Sequence, residues 1–282
     1  MKKKSYRILV TGGSSGIGFE TAKTLALAGH TVFAAARRVE LMEPLREFGV
    51  TPLRLDVCEE ASIDACLSEA GAIDVLINNA GFGYFGALEN VPLEEARRQL
   101  DVNVFGLASL TKKVLPGMRE RGFGRVINVS SVAGRVPMYF GAWYNVSKYS
   151  VEALSDALRM EVKPFGIDVV LIEPGGIKTN WGIIAAEHLR ESSAGTAYED
   201  AALREADVLH KGYSSNFLSS PSKVTRAIVR AVRARRPRAR YLTGAFSRTM
   251  VFWHAVLPAR WWDACSRVLA APWLVRFADK LK

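Results

Sequence analysis

Tyr144 and Lys148 stand four residues apart in Trp143-Tyr144-Asn145-Val146-Ser147-Lys148. On a helix, positions i and i+4 share one face, so the Lys148 ammonium would lie near the Tyr144 phenol. A free tyrosine, with a pKa of about 10, neither gives nor takes a proton readily at neutral pH. A fixed positive charge beside it favours the phenolate and lowers that pKa. A tyrosine tuned in this way can exchange a proton with an alcohol or ketone oxygen. The same spacing arises often by chance, so its meaning depends on the elements around it.

Those elements begin at the N-terminus. Residues 7–10 form a short apolar run that predicts a buried strand. It leads into Thr11-Gly12-Gly13-Ser14-Ser15-Gly16-Ile17-Gly18, and residues 19–28 then have helical character, closed by Gly29. Strand, glycine-rich turn and helix start are what a phosphate site needs. Glycines let the backbone approach a pyrophosphate, and the helix N-terminus offers free N–H groups to it. A flexible glycine turn is the plain alternative. A second apolar strand is predicted over 31–36, followed by Arg37 and Arg38. An acidic residue there would favour a ribose hydroxyl, whereas arginines suit a 2′-phosphate. The pair therefore favours NADP over NAD, against the simpler reading of a solvated strand end.

With these motifs the chain resembles the short-chain dehydrogenase/reductase (SDR) family over nearly all of residues 5–245. The turn from Thr11 to Gly18 matches its T-G-x-x-x-G-x-G, which marks Gly12, Ser14, Ser15, Gly16, Ile17 and Gly18 as cofactor contacts. Asn78-Asn79-Ala80-Gly81 matches its N-N-A-G, which adds Asn79, Ala80 and Gly81. Asp56-Val57 matches the adenine-contact position, and Asn103 the structural and catalytic asparagine. Ser131 lies thirteen residues before Tyr144, as the family serine does, with Ser130 one residue farther. Pro174, Gly175, Ile177 and Thr179 fall in its P-G-x-x-x-T segment near the nicotinamide.

The resemblance implies a Rossmann-type α/β fold and an NADP(H)-dependent oxidoreductase. Tyr144 would be the general acid/base. Lys148 would lower its pKa and bind the nicotinamide ribose. Ser131 would hydrogen-bond the substrate oxygen, and Asn103 would hold a water linking Lys148 to solvent. A homo-oligomer, dimer or tetramer, is implied too. The alternative is a protein that senses NADP(H) without turnover. Its usual mark, loss of the tyrosine or lysine, is missing here.

A chain of 282 residues with 49% hydrophobic content can bury a substantial core. Further strands are predicted over 50–55, 75–78, 125–129 and 168–173, each separated by helical sequence. That alternation argues for a doubly wound parallel sheet in a single domain. Residues 1–245 are read as the NADP-binding catalytic domain and 246–282 as its C-terminal helical extension. Four histidines and three cysteines lack metal-ligand spacing, so no metal is expected. The cysteines suit a reducing compartment. The lysines at 2–4 precede an apolar run that belongs to the fold, so no signal peptide is expected and the cytoplasm is the expected location.

The net charge of +10 is unevenly placed. No acidic residue occurs between Asp207 and Asp263, an interval holding 11 basic ones, Lys211 to Arg260. Arg226, Arg230 and Arg233 fall on one face of an expected helix, with Val224, Ile228 and Val232 on another. A strand over 240–242 and an aromatic tail follow, and the tail includes Phe252, Trp253, Trp261, Trp262, Trp273, Leu274 and Phe277. It is too interrupted to span a membrane. It fits packing on the parent domain, a substrate lid, a subunit contact, or an amphipathic helix at a membrane surface. Nucleic-acid binding is disfavoured because the aromatics do not interleave with the arginines.

Tyr84, Tyr139, Trp143, Trp181 and Ile184 are expected to border the substrate pocket. The apolar, aromatic set favours a bulky hydrophobic carbonyl or alcohol: steroid, retinoid, fatty-acyl or aromatic. The sequence around Arg37 and Glu173 is similar, more loosely, to the hydroxysteroid- and retinol-dehydrogenase-like branch. Residues from about 180 to 217 are expected to form a mobile substrate loop.

Overall fold

The computed structural model describes residues 5–214 and 218–269. The apolar runs become strands separated by helices. In chain order these are β1 (Arg7–Thr11), α1 (Gly16–Leu27), β2 (Thr31–Ala36), β3 (Val50–Arg54), α2 (Glu60–Ala70), β4 (Val75–Asn78), α3 (Leu93–Leu100), α4 (Leu107–Glu120) and β5 (Gly124–Val129). They continue with α5 (Ala142–Val162), β6 (Ile167–Pro174), α6 (Trp181–Ser193), α7 (Glu199–Ser214), α8 (Pro221–Arg233), β7 (Arg240–Thr243), α9 (Ser247–Val256) and α10 (Ala259–Leu269).

All seven strands are parallel, in the order β3-β2-β1-β4-β5-β6-β7. The order reverses between β1 and β4, so their carboxyl ends part and leave a crevice there. Alternate residues feed two cores. Ile8, Val10, Val32, Ile77, Ile127 and Ile172 face α1 and α8. Leu9, Phe33, Leu53, Leu76, Val126 and Val169 face α2 and α4. Both faces are buried, so the strands read as continuous apolar runs.

Helix α8 follows its sequence closely. Ser220 caps it by accepting from the Ser222 N–H, and Pro221 occupies the first turn. Val224, Ile228 and Val232 are buried, while Arg226, Arg230 and Arg233 are exposed. Buried Arg125 on β5 completes its C-terminus, donating to the Ala231 and Val232 carbonyls at 2.5 and 2.8 Å. A cation belongs at that end of the helix dipole.

Residues 180–214, expected as part of a mobile substrate loop, are largely helical. They form α6 and α7, packed against each other. Small residues make this close approach: Gly182 lies under Tyr213, where a Cβ would come within 2.2 Å of the ring. Ala185, Ala186, Ala202 and Ala206 are fully buried beside them. Residues 194–198 connect the helices, and residues 215–217 lie outside the described residues. The tail forms α9 and α10, with Trp262 buried and Phe252, Trp253 and Trp261 exposed. Trp273, Leu274 and Phe277 lie outside the described residues. Among the described residues, no helix is long and apolar enough to cross a membrane.

Beneath the crevice, polar side chains tie sheet to helices. Asn78 Nδ2 donates to Thr111 Oγ1 at 3.0 Å and to Asn128 Oδ1 at 2.9 Å. Asn128 Nδ2 donates in turn to Ser155 Oγ at 2.8 Å. All four residues are buried, so each bond lost leaves a polar group without water. Asn128→Ala should cost roughly 1–3 kcal/mol of stability in urea unfolding. Adding Asn78→Ala should cost less than the two changes summed, because they share a bond. Strict additivity would show that the ladder contributes nothing as a unit.

Candidate active site

The glycine turn is built for backbone approach. Gly12 and Gly16 have φ of 67° and 54°, in the left-handed region. A Cβ on Gly18 would lie 2.2 Å from the Gly12 carbonyl oxygen. The N–H groups opening α1 have no side-chain cap from Ser15 and are left for a ligand. Across the crevice, Thr11 Oγ1 accepts from the Asn79 and Ala80 N–H groups at 3.0 Å each. Asn79 Nδ2 returns a bond to the Thr11 carbonyl at 3.0 Å. The loop after β6 closes a third side, where Thr179 Cγ2 would lie 3.6 Å from a Cβ on Gly16. Gly175 donates to the Thr243 carbonyl at 2.7 Å, and Ile177 is buried under that loop. Arg37 and Arg38 end β2 exposed, and neither forms an ion pair among the described residues. Asp56 accepts from the Cys58 N–H at 3.0 Å, and Val57 is buried beside it. Ser14, Ser15 and Ile17 line the turn itself, and Gly81 follows Ala80 at the crevice floor.

Tyr144 and Lys148 sit in α5, both buried. Lys148 Nζ donates to the Val129 carbonyl at 3.0 Å and lies 5.9 Å from the centre of the Tyr144 ring. Ser131 opens a short 3₁₀ turn, Val132–Gly134, and its Oγ accepts from the Ala133 N–H at 3.1 Å. The lysine does not set the tyrosine's pKa as the spacing suggested. Burial pushes the Tyr144 phenol up to about 12, and only the Ser131 hydroxyl pulls the other way. Burial likewise pushes the Lys148 ammonium down to about 8.

Asn103 occupies a π-helical turn, Asp101–Gly106, between α3 and α4. Its amide donates to the Phe82 carbonyl at 2.8 Å and to Ser147 Oγ at 3.0 Å. Its Oδ1 accepts from the Phe82 N–H at 3.0 Å. Both amide hydrogens are therefore engaged, one with the loop after β4 and the other with α5. A Cβ on Gly81 would lie 2.9 Å from Asn103 Oδ1 and 3.7 Å from Lys148 Nζ, so these residues meet directly.

Above Tyr144 is an aromatic cluster. Its ring centre is 4.9 Å from that of Trp181 and 5.8 Å from that of Phe85. Tyr139 joins through Phe140, at 4.1 Å, and Tyr84 stacks on His188 at 4.6 Å. Three of the expected pocket residues, Tyr84, Ile184 and Trp143, are not part of this cluster, the Tyr84 ring meeting His188 instead. Ile184 is 47% exposed on α6. Trp143 precedes Tyr144 by one residue and so turns to a different face of α5. Tyr213, whose ring centre is 6.0 Å from that of Trp181, was not foreseen, because its helix was not. Nor was Asn145, which donates to the Ala133 and Val136 carbonyls at 2.7 and 2.9 Å and fixes the segment between Ser131 and Tyr144. Among the described residues no His, Cys, Asp and Glu side chains cluster as a metal site.

Residues 6–188 match the family model described as short chain dehydrogenase. The chain belongs to that family. This dehydrogenase is 37% identical over 236 residues to the 3-ketodihydrosphingosine reductase of Bacteroides thetaiotaomicron, covering 82% of this chain and 84% of the relative. A short-chain dehydrogenase from Streptomyces avermitilis has a solved structure that superposes with a TM-score of 0.77, at 31% identity, over 95% of this chain and 96% of that one. A serine dehydrogenase solved with NADP+ superposes with a TM-score of 0.71, at 28% identity, over 83% of this chain and 92% of that one.

The buried lysine of this dehydrogenase has a measurable consequence. Its folded pKa of about 8 is depressed from 10.5. At low pH the folded state therefore carries a buried charge that the unfolded chain keeps in water. That cost is full below about pH 8 and fades as pH rises to 10.5. Lys148→Met should thus stabilise the ligand-free protein at pH 7, by roughly 2–3 kcal/mol in urea unfolding. The gain should vanish near pH 10.5. Equal midpoints at pH 7 would mean that the charge is fully compensated.

Proposed function

We propose that this short chain dehydrogenase uses NADP(H) to interconvert a bulky hydrophobic ketone or aldehyde and its alcohol, with Tyr144 as general acid/base. The carrying observation is the position of the Tyr144 phenol. It is buried between Ser131 and Lys148, below an aromatic cluster and beside a glycine turn fit for a dinucleotide. The fit rests on the Gly12, Gly16 and Gly18 backbone, the uncapped start of α1, and the exposed arginines Arg37 and Arg38 for a 2′-phosphate. A solved relative holding NADP+ supports the same choice. When bound, the cofactor supplies the hydride.

The residues of the chain do the rest. Ser131 hydrogen-bonds the substrate oxygen and holds it at Tyr144. Tyr144, protonated at neutral pH, gives that oxygen its proton in reduction and takes it back in oxidation. Lys148 compensates the phenolate and binds the ribose hydroxyls. Asn103 keeps the loop after β4 in place behind them. Asp56, Val57, Asn79, Ala80 and Gly81 line the nucleotide side, and Pro174, Gly175, Ile177 and Thr179 the nicotinamide side. Tyr84, Tyr139 and Trp181 wall an apolar pocket suited to a steroid, retinoid, fatty-acyl or aromatic body. The name of the Bacteroides relative favours a ketone on a long aliphatic chain among these.

The test is NADPH oxidation by the purified chain with long-chain, steroid, retinoid and aromatic carbonyls. Turnover should appear with at least one and fall by about 10²–10⁴ in Tyr144→Phe, with NADPH affinity kept. Arg37→Asp should move preference toward NADH. Tight NADPH binding with no turnover across the panel would favour the sensing alternative instead.

Two surfaces support partners beyond the substrate. Val146, Tyr149 and Met160 expose apolar surface along α5, which suits a second copy of the chain. Phe252, Trp253 and Trp261 are exposed on α9 and α10 beside Arg248 and Arg260, which suits an anionic membrane surface. Light scattering should give a dimer or tetramer mass. Liposomes with anionic lipid should carry the chain in flotation, whereas neutral ones should not. Trp253→Ala with Trp261→Ala should abolish flotation and leave the mass unchanged. A monomer that those changes create would assign the tryptophans to the subunit contact.

A further inference from the structure

The face of α5 that carries Tyr144 and Lys148 continues downward. Tyr144, Lys148, Glu152 and Asp156 follow at four-residue intervals, which stacks them one turn apart. Glu152 is as buried as Lys148, at 6% against 7% exposed. Glu173, 1% exposed, lies next to Pro174 at the end of β6. Arg240 reaches all three carboxylates from β7. Its guanidinium lies 3.2 Å from Glu152, 3.0 Å from Glu173 and 2.5 Å from Asp156. Arg135 approaches Glu173 at 3.5 Å from the turn after Ser131, and Arg159 pairs with Asp156 at 2.5 Å nearer solvent. Ser130 is the neutral polar neighbour. A Cβ on Gly134 would lie 2.8 Å from Glu152 Cγ and 2.9 Å from Ser130 Oγ. In the buried part, Lys148 and Arg240 balance Glu152 and Glu173.

We propose that Arg240 is a positioning residue that acts through Glu152. It keeps the Glu152 carboxylate ionised, and that carboxylate keeps the Lys148 ammonium charged beside Tyr144. The proposal rests on the reading of Tyr144 and Lys148 as the acid/base pair.

The physical chain is short. Burial pushes the Glu152 carboxyl up to about 7, and Glu173 adds to the rise, while the Ser130 hydroxyl and then Arg240, by its charge and its hydrogen bond, oppose it. Burial pushes Lys148 down, and Glu152 is the charge that raises it. Without Arg240, Glu152 is left with Lys148 alone against its own burial and the charge of Glu173, and it cannot stay fully ionised. Arg135 still attends Glu173, so the proton goes to Glu152. Lys148 then loses its counter-charge and releases its own proton at lower pH.

In the reductive direction, the basic limb of kcat/KM against pH reports loss of the proton from the Tyr144–Lys148 pair. Arg240→Gln and Glu152→Gln should each move that limb down by about one pH unit. Arg240→Lys keeps the charge without the fork and should restore most of the shift. A merely structural role would lower the rate at every pH and leave the limb in place. The isotopically labelled Lys148 Cε resonance, assigned by its loss in Lys148→Met, follows the same titration without any turnover. Should Arg240→Gln fail to fold, the isosteric Glu152→Gln carries the measurement. A lowered Cε midpoint in a chain that reduces no carbonyl would keep the role of Arg240 and Glu152 and remove the acid/base reading. Unchanged midpoints in the variants that fold overturn the proposal whatever the activity.

Discussion

A cation buried at the carboxyl edge of a parallel sheet has lost most of its water, and nearby groups must replace it. Lys148 is that cation. Its ammonium is held by the Val129 carbonyl at 3.0 Å, at the end of β5. The length of α5, 21 residues, lets one helix present Tyr144 to the crevice and still place Glu152 and Asp156 within reach of Arg240 on β7. The same burial that strains Lys148 keeps the Tyr144 phenol protonated. A phenol held near 12 stays protonated at neutral pH but is a weaker acid than a free one, so on the proposed chemistry it would give its proton to a carbonyl oxygen only with a positive charge at hand to stabilise the phenolate. Taking a proton from an alcohol is the harder direction. It would require the phenolate to be present beforehand, which the lysine charge favours.

The crevice above depends on backbones meeting without side chains between them. Gly18 against the Gly12 carbonyl is the tightest such contact, and it sets α1 directly on the end of β1. Thr11 and Asn79 then bond reciprocally across the gap where the strand order reverses. Neither half of the sheet could hold this geometry alone, because β1 and β4 supply one partner each. Asn103 extends the arrangement to Phe82 and Ser147, which joins the loop after β4 to α5.

The strands and the site motifs were legible because their physics is local. Continuous apolar runs mark β1, β2, β4 and β5, and Thr11 to Gly18 marks a turn that only glycine permits. Other features depend on residues far apart. Arg240 reads as one more member of a basic run, yet its partners Glu152 and Asp156 lie 88 and 84 residues upstream. Helices α6 and α7 read as irregular because alanine and glycine give a weak apolar pattern, although small residues are what allow their close packing. The direction of the Tyr144 shift could not be read from spacing. Spacing brings the ammonium near, but burial decides which effect is larger.

The cover over Tyr144 links this burial to selectivity. Trp181 and Phe85 approach the phenol, and Tyr213 stands behind Trp181. Phe140 is held in the left-handed region, at φ 57°, a conformation that needs support from its surroundings. That support is visible: the Gly86 N–H donates to its carbonyl at 2.9 Å, its ring is buried, and Tyr139 packs on it. A wall fixed in this way excludes water from the phenol. On the proposed reading, a polar substrate body placed against these ring faces would lose hydration that the faces do not replace. An apolar body would lose no hydrogen bonds there, and would leave its reacting oxygen to Ser131 and Tyr144.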